Sequence, residues 1–172
     1  MKAGIIASSK ISYIAEGSKK SEKEVKSILD EIAKIVVKNN LEIVITPDIN
    51  SPLEHFGKEY LKLKGKKIYE VLPLDDKEFG YKEWVNTDLG EAINCGTWRN
   101  QPEKTDEVSD FLICVGYGVG SMIEMGYTKW FKKPVLVIEE LVSGRLPLEF
   151  EKSIDVKYIS VKNLDKELKK LK

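Results

Sequence analysis

The run Val115-Gly116-Tyr117-Gly118-Val119-Gly120-Ser121-Met122-Ile123-Glu124 sets three alternating glycines between an apolar stretch and a helix-forming one. Glycines let a backbone turn tightly and come close to a phosphate. Free N–H groups and the positive end of the following helix stabilise its charge. Gly116, Gly118, Val119, Gly120 and Ser121 are therefore candidate ligand-binding residues, Ser121 with a hydroxyl that can also donate. A tight turn without a ligand is the plainer alternative. The spacing is not the dinucleotide fingerprint: no glycine follows Gly118 by three residues, and no acidic residue ends a following strand in the first βαβ unit. A Walker-type Gly-Lys-Ser/Thr is also absent.

Glu124 falls in the first turn of the expected helix, where its carboxylate gains from the helix dipole and can face whatever the turn holds. It is a candidate catalytic group, as general acid/base or as acceptor from a ribose hydroxyl; the alternative is a glutamate facing water. Arg99 is the second catalytic candidate. Arginine occurs only here and at Arg145, and a planar guanidinium matches phosphate or carboxylate geometry as lysine does not. Asn100 beside it can donate or accept, and a surface ion pair is the other reading of Arg99. Ser8 and Ser9 end the first apolar run and suit a strand-to-loop turn facing a ligand. They lack a histidine at useful spacing for nucleophilic chemistry. His55, the single histidine, sits among apolar neighbours and reads as a packing or solvent-edge residue. No Cys/His cluster has metal-ligand spacing, so neither a metal nor a resident cofactor is expected.

The elements that must position these groups alternate. Lys2–Ala7 reads as a buried strand. Ser21 with Glu24 is a capping-box pattern opening a helix that buries Val25, Ile28, Leu29, Ile32 and Val36 and stops near Asn39 and Asn40. Strand Leu41–Thr46 follows, then a helix from Pro52 and strand Lys67–Leu72. Pro73–Asp88 is polar, aromatic-bearing and irregular, and is expected to lie over the site. Strand Glu91–Cys95, a helix around Pro102–Ser109, strand Phe111–Val115, helix Ser121–Phe131, strand Pro134–Ile138, strand Val156–Val161 and a terminal helix Asn163–Lys172 complete the order. Such alternation implies an α/β, three-layer α/β/α fold around a mostly parallel open sheet, in one domain spanning residues 1–172. Ligands in such sheets bind beyond the carboxyl ends of the strands.

Composition narrows the partners. Twenty-eight basic residues offset 28 acidic ones, so overall charge draws the chain toward neither nucleic acid nor an anionic membrane, and any anion must be held locally. The apolar runs are far shorter than the roughly 20 residues a bilayer span needs. Cys95 and Cys114 read as reduced thiols, and with no secretory leader pattern the expectation is a cytoplasmic protein.

In this order the elements resemble the LOG-like superfamily of Rossmann-like proteins, which includes cytokinin-activating phosphoribohydrolases and molybdenum cofactor carrier proteins. The resemblance covers roughly residues 3 to 140 and rests on Ser8-Ser9, Arg99-Asn100, Asp110–Val115, Gly118-Val119-Gly120-Ser121 with Glu124, and Lys133-Pro134-Val135. In the hydrolases the signature is Pro-Gly-Gly-x-Gly-Thr-x-x-Glu with an arginine upstream; Gly118, Gly120 and Ser121 match its phosphate-holding positions, and Arg99 and Glu124 its catalytic pair. Tyr117 stands where that signature has a glycine, and Thr46–Glu54, where relatives carry a glycine-rich loop, contains none. The Arg99-Asn100 form looks more like the carrier-protein and uncharacterised branches than like the established hydrolases. The resemblance implies a partner that is a phosphorylated, nucleotide-like small molecule, with its N-glycosidic bond hydrolysed or, alternatively, the molecule carried or sensed intact. It also implies a homodimer or higher homo-oligomer, packed through helices near Arg99 and Glu124, with Tyr127, Trp130 and Phe131 supplying apolar surface. The Gly-x-x-x-Glu-x-Gly-Tyr arrangement from Gly120 is similar to nucleoside 2-deoxyribosyltransferases as well, where the glutamate is a nucleophile.

Overall fold

In the computed structural model, which describes residues 1–171, the apolar runs become strands whose side chains alternate between two helical layers. Along β1 (Lys2–Ile6), Ile5 packs into one core and Ile6 into another; along β5 (Phe111–Cys114), Phe111 and Ile113 go one way and Leu112 and Cys114 the other. This is the period-two pattern of a sheet covered on both faces, and it explains why these segments are apolar throughout. The remaining strands are β2 (Glu42–Ile45), β3 (Ile68–Leu72), β4 (Glu91–Asn94), β6 (Val135–Ile138) and β7 (Val156–Ile159). Among the described residues they form one sheet in the order β4-β3-β2-β1-β5-β6-β7, every neighbouring pair parallel.

The helices are α1 (Ile11–Ser18), α2 (Glu22–Lys38), α3 (Pro52–Lys62), α4 (Gln101–Val108), α5 (Val119–Phe131), α6 (Leu148–Glu151) and α7 (Val161–Lys170). Residues of α1, α2, α3 and α7 share the larger core with one sheet face. Met125 of α5 and Val108 of α4 pack against the opposite face. The expected three-layer α/β/α architecture is therefore the observed one. Ser21 caps α2 as its sequence predicts, its hydroxyl accepting from the Glu24 N–H while the Glu24 carboxylate accepts from the Ser21 N–H.

Most element ends fall within one or two residues of expectation, and α1 and α6 were not expected. Helix α1, directly after Ser8-Ser9, carries no cap signal at Lys10 and reads poorly from sequence. Helix α5 starts two residues early because Gly118, not Ser121, is its N-cap residue. The terminal helix is described to Lys170, and Lys172, its expected end, lies outside the described residues.

The chain winds outward from β1 to β4 and then returns to place β5 on the other side of β1. This makes β1/β5 the switch point, where the two following loops diverge and leave a crevice. Ser8-Ser9 and the glycine turn are those two loops.

Candidate functional site

The glycine turn is built against Ser8. A Cβ on Gly118 would lie 2.8 Å from the Ser8 Cα, so the close approach of the two loops requires glycine there. Gly116 has φ +144° and packs on Ile14, where a side chain would meet carbons at 2.5 Å. Gly120 has open space around it. Val119 is 81% exposed, and the first-turn N–H groups of α5, which a helix cannot satisfy internally, are presented at the carboxyl edge of the sheet. Ser121 differs from expectation: it is fully buried, its Oγ accepting from the Gly118 N–H at 2.8 Å and lying 3.2 Å from the Gly116 carbonyl. It holds the turn in shape from behind.

Glu124 points inward. It is 6% exposed, and its Oε1 accepts from Gln101 Nε2 at 2.9 Å. The two hydrogens of that amide are shared with Thr46 Oγ1 and Thr105 Oγ1, both at 2.9 Å, so Gln101 of α4 ties the loop that leaves β2 to α5. Burial pushes the Glu124 carboxyl up to about 7, opposed by the Gln101 hydrogen bond and reinforced by Asp48. Asp106 of α4 is completely buried with neither oxygen hydrogen-bonded, and burial with Glu124 nearby raises it to about 8. Asp48, just past β2, is raised by burial to about 6, and its Oδ1 is buried without a partner.

Arg99 is not brought to Glu124. Its side chain is 67% exposed, and its guanidinium donates to the Glu78 carboxylate at 2.7 Å. Asn100 accepts from the Thr97 hydroxyl at 2.9 Å. Arg99 is instead tied to the 73–88 loop, which Asp76 organises by accepting from the N–H groups of Glu78, Phe79 and Trp98. That loop lies against the β2–α3 connection: Asp48 and Val85 form an antiparallel bridge, the Ile49 N–H donates to the Trp84 carbonyl at 2.8 Å, and Asn86 Nδ2 donates to Glu54 at 2.9 Å.

Beneath it is a cavity of about 990 Å³ lined by Ser9 and Lys10 from the β1 loop, Lys26 of α2, Asp48 and Ser51, and the aromatic residues Phe79, Trp84 and Trp98. Sequence reasoning did not single out Asp48, Gln101, Asp106, Lys10 or Lys26. Asp48 had a usable signal, an acid directly after a strand end; Gln101 and Asp106 had none, because polar residues on a helix face ordinarily mean solvent.

Cys95 and Cys114 are free and buried, burial raising their thiols to about 11 and about 12. No helix among the described residues is long and apolar enough to cross a membrane.

No family model and no curated protein matches the chain. Solved structures do. The molybdenum cofactor binding protein of Rippkaea orientalis superposes with a TM-score of 0.72 at 15% identity, over 99% of this chain and 96% of that one. The molybdenum cofactor carrier protein of Chlamydomonas reinhardtii gives 0.72 at 18% identity, with the same coverage. The chain thus has the Rossmann-type fold that its resemblance to the LOG-like superfamily implied, and shares it over its whole described length with proteins of the molybdenum cofactor carrier type.

Proposed function

We propose that this protein binds a phosphorylated nucleotide- or cofactor-like small molecule at the carboxyl edge of the sheet and carries or senses it intact. The phosphate lies at the Gly118–Ser121 turn, on the first-turn N–H groups of α5, and Ser8-Ser9 forms the facing wall. One observation carries the choice of carrier over hydrolase: the two groups that a phosphoribohydrolase would need together are apart, Arg99 outside on Glu78 and Glu124 sealed under Gln101. The cofactor-carrier neighbours support the same reading. Two free, buried thiols suit a cytoplasmic setting.

The hydrolase reading retains one observation in its favour. A carboxyl raised to about 7 is poised for general acid work on a departing base. Incubation with purine and pyrimidine nucleoside monophosphates, with chromatography for free base and ribose 5-phosphate, separates the two. The carrier reading expects binding by thermal shift, no released base, and a Glu124→Gln variant that binds as the wild type does. Base release that vanishes in Glu124→Gln would replace it with the hydrolase.

A further inference from the structure

Three carboxyls are buried behind the glycine turn, each on a different element. Glu124 stands in the second turn of α5, behind the N–H groups assigned to the phosphate; Asp106 is on α4, which packs along α5; Asp48 follows β2. Both oxygens of Asp106 and one of Asp48 are buried without a hydrogen-bond partner. The charge of Glu124 acts on Asp106 and that of Asp48 on Glu124, so the three titrate as one group. Lys133, past the C-terminal end of α5, opposes Asp106, and β5 contributes the Cys114 thiol. Arg99, in the turn that leads into α4, is drawn away to Glu78. Glu70 of β3 falls between Tyr69 and Val71, which pack toward α4, so it points to the other face of the sheet and accepts from the Leu89 N–H at 3.0 Å. Asp48 lines the cavity with Lys10, Lys26, Lys58, Glu22, Glu54 and His55, yet burial is what moves it. Lys58 is held by Glu54 at 2.7 Å and His55 by Asp30 at 2.8 Å. Three unpaired carboxylates in a dry interior are disfavoured, and the trio, raised to about 6 at Asp48, about 7 at Glu124 and about 8 at Asp106, keeps protons near neutrality.

Gln101 is placed to read that proton. Its Nε2 faces three acceptors at 2.9 Å, Thr46 Oγ1, Thr105 Oγ1 and Glu124 Oε1, with two hydrogens to give. Thr46 donates its own hydrogen to the Val71 carbonyl at 3.0 Å, so toward Gln101 it can only accept. An ionised Glu124 claims one amide hydrogen, because hydrogen bonds to a carboxylate are the stronger ones, and a protonated Glu124 releases it to Thr105. The network therefore has two arrangements, set by one proton. An anion at the turn adds negative charge close to Glu124 in a low-dielectric interior and favours the protonated one. We propose that Asp48, Glu124 and Asp106 make the site a proton-coupled switch, which takes its anion together with a proton and releases it when the proton leaves. The switch rests on the phosphate-binding reading above and adds to it how occupancy is regulated. By linkage, affinity is full where the trio is protonated and falls as pH rises through its range.

Calorimetric titration of the full chain with ribose 5-phosphate, in cationic buffers of unlike ionisation heat, tests this against Glu124→Gln, which keeps the shape of the side chain and cannot titrate. The ionisation of the phosphate itself is common to both proteins and cancels between them. At about pH 7 the wild type is expected to take up about half a proton more per bound ligand than Glu124→Gln. The two should bind alike at about pH 5.5, and the variant at least about fivefold more tightly at about pH 8.5. A change in packing alone would shift affinity by the same factor at every pH. Sulfate carries no titrating proton near neutrality, so on the wild type alone it reads the same uptake should the variant not fold. Equal proton numbers in the two proteins, an affinity ratio constant with pH, or sulfate bound without proton uptake overturns the switch while the phosphate reading stands. Ribose 5-phosphate bound by neither protein at any pH overturns the phosphate reading and the switch with it.

Discussion

Asp106 shows what a single buried group does to the whole chain. A carboxyl without hydrogen bonds in a dry interior favours its protonated form, and the neighbouring Glu124 adds to the effect while Lys133 opposes it. Below about pH 4 the group is protonated folded or unfolded. Between there and about 8 only the folded chain keeps the proton, so stability falls as pH rises, by at most about 1.4 kcal/mol per pH unit for one group. Asp106→Asn has nearly the same shape and no charge to bury. Its melting temperature is expected to match the wild type near pH 4.5 and to exceed it by several degrees at pH 8.5, a rise of about 2–4 °C per kcal/mol for a chain of this size. A wild type more stable than Asp106→Asn at pH 8.5 would show that the carboxylate is engaged and that its burial is not a penalty.

At the scale of elements, the glycine turn separates packing from binding. Gly118→Ala drives a Cβ against the Ser8 backbone and is expected to cost about 1–3 kcal/mol, seen as a lower melting temperature. Gly120→Ala meets nothing and replaces glycine in the first turn of a helix, so it should stabilise by about 0.5–1 kcal/mol. Yet the added methyl stands beside the N–H groups assigned to the phosphate, and affinity for ribose 5-phosphate should drop. A Gly120→Ala variant that is more stable and binds undiminished would move the phosphate elsewhere. This turn also marks how far the sequence could be read. The strands, α2 with its capping box, and the strand–turn–helix at Gly116 were legible because periodicity and caps are local. The separation of Arg99 from Glu124 was not, because it depends on Glu78 reaching Arg99 across 21 residues and on Gln101 closing over Glu124 from another helix. Nor does anything local in the sequence say that the Ser121 hydroxyl turns back to Gly118.

For the whole molecule, an apolar surface that the site does not account for is one face of α5. Val119, Ile123 and Trp130 are exposed to 81%, 46% and 75%, with Met122, Gly126 and Tyr127 between them, a stripe at three- and four-residue spacing on the helix that begins at the glycine turn. Phe150 extends the same apolar groove. Apolar side chains gathered this way on an α/β domain belong at an interface, and a second copy packing α5 on α5 would satisfy the stripe by two-fold symmetry. The homodimer implied by resemblance and this surface point to the same element, although the surface is centred on Val119 and Ile123 as much as on Trp130 and Phe131. In sedimentation equilibrium the wild type is expected to be a dimer at micromolar concentration. Ile123→Asp is expected to be a monomer that keeps its melting cooperativity, since the side chain is half exposed and its loss leaves the core intact. Because Val119 opens the turn, dissociation should also loosen the phosphate end of the site, so the monomeric variant should bind ribose 5-phosphate more weakly. A wild type that sediments as a monomer would remove the interface, and a monomeric Ile123→Asp with unchanged affinity would separate assembly from binding.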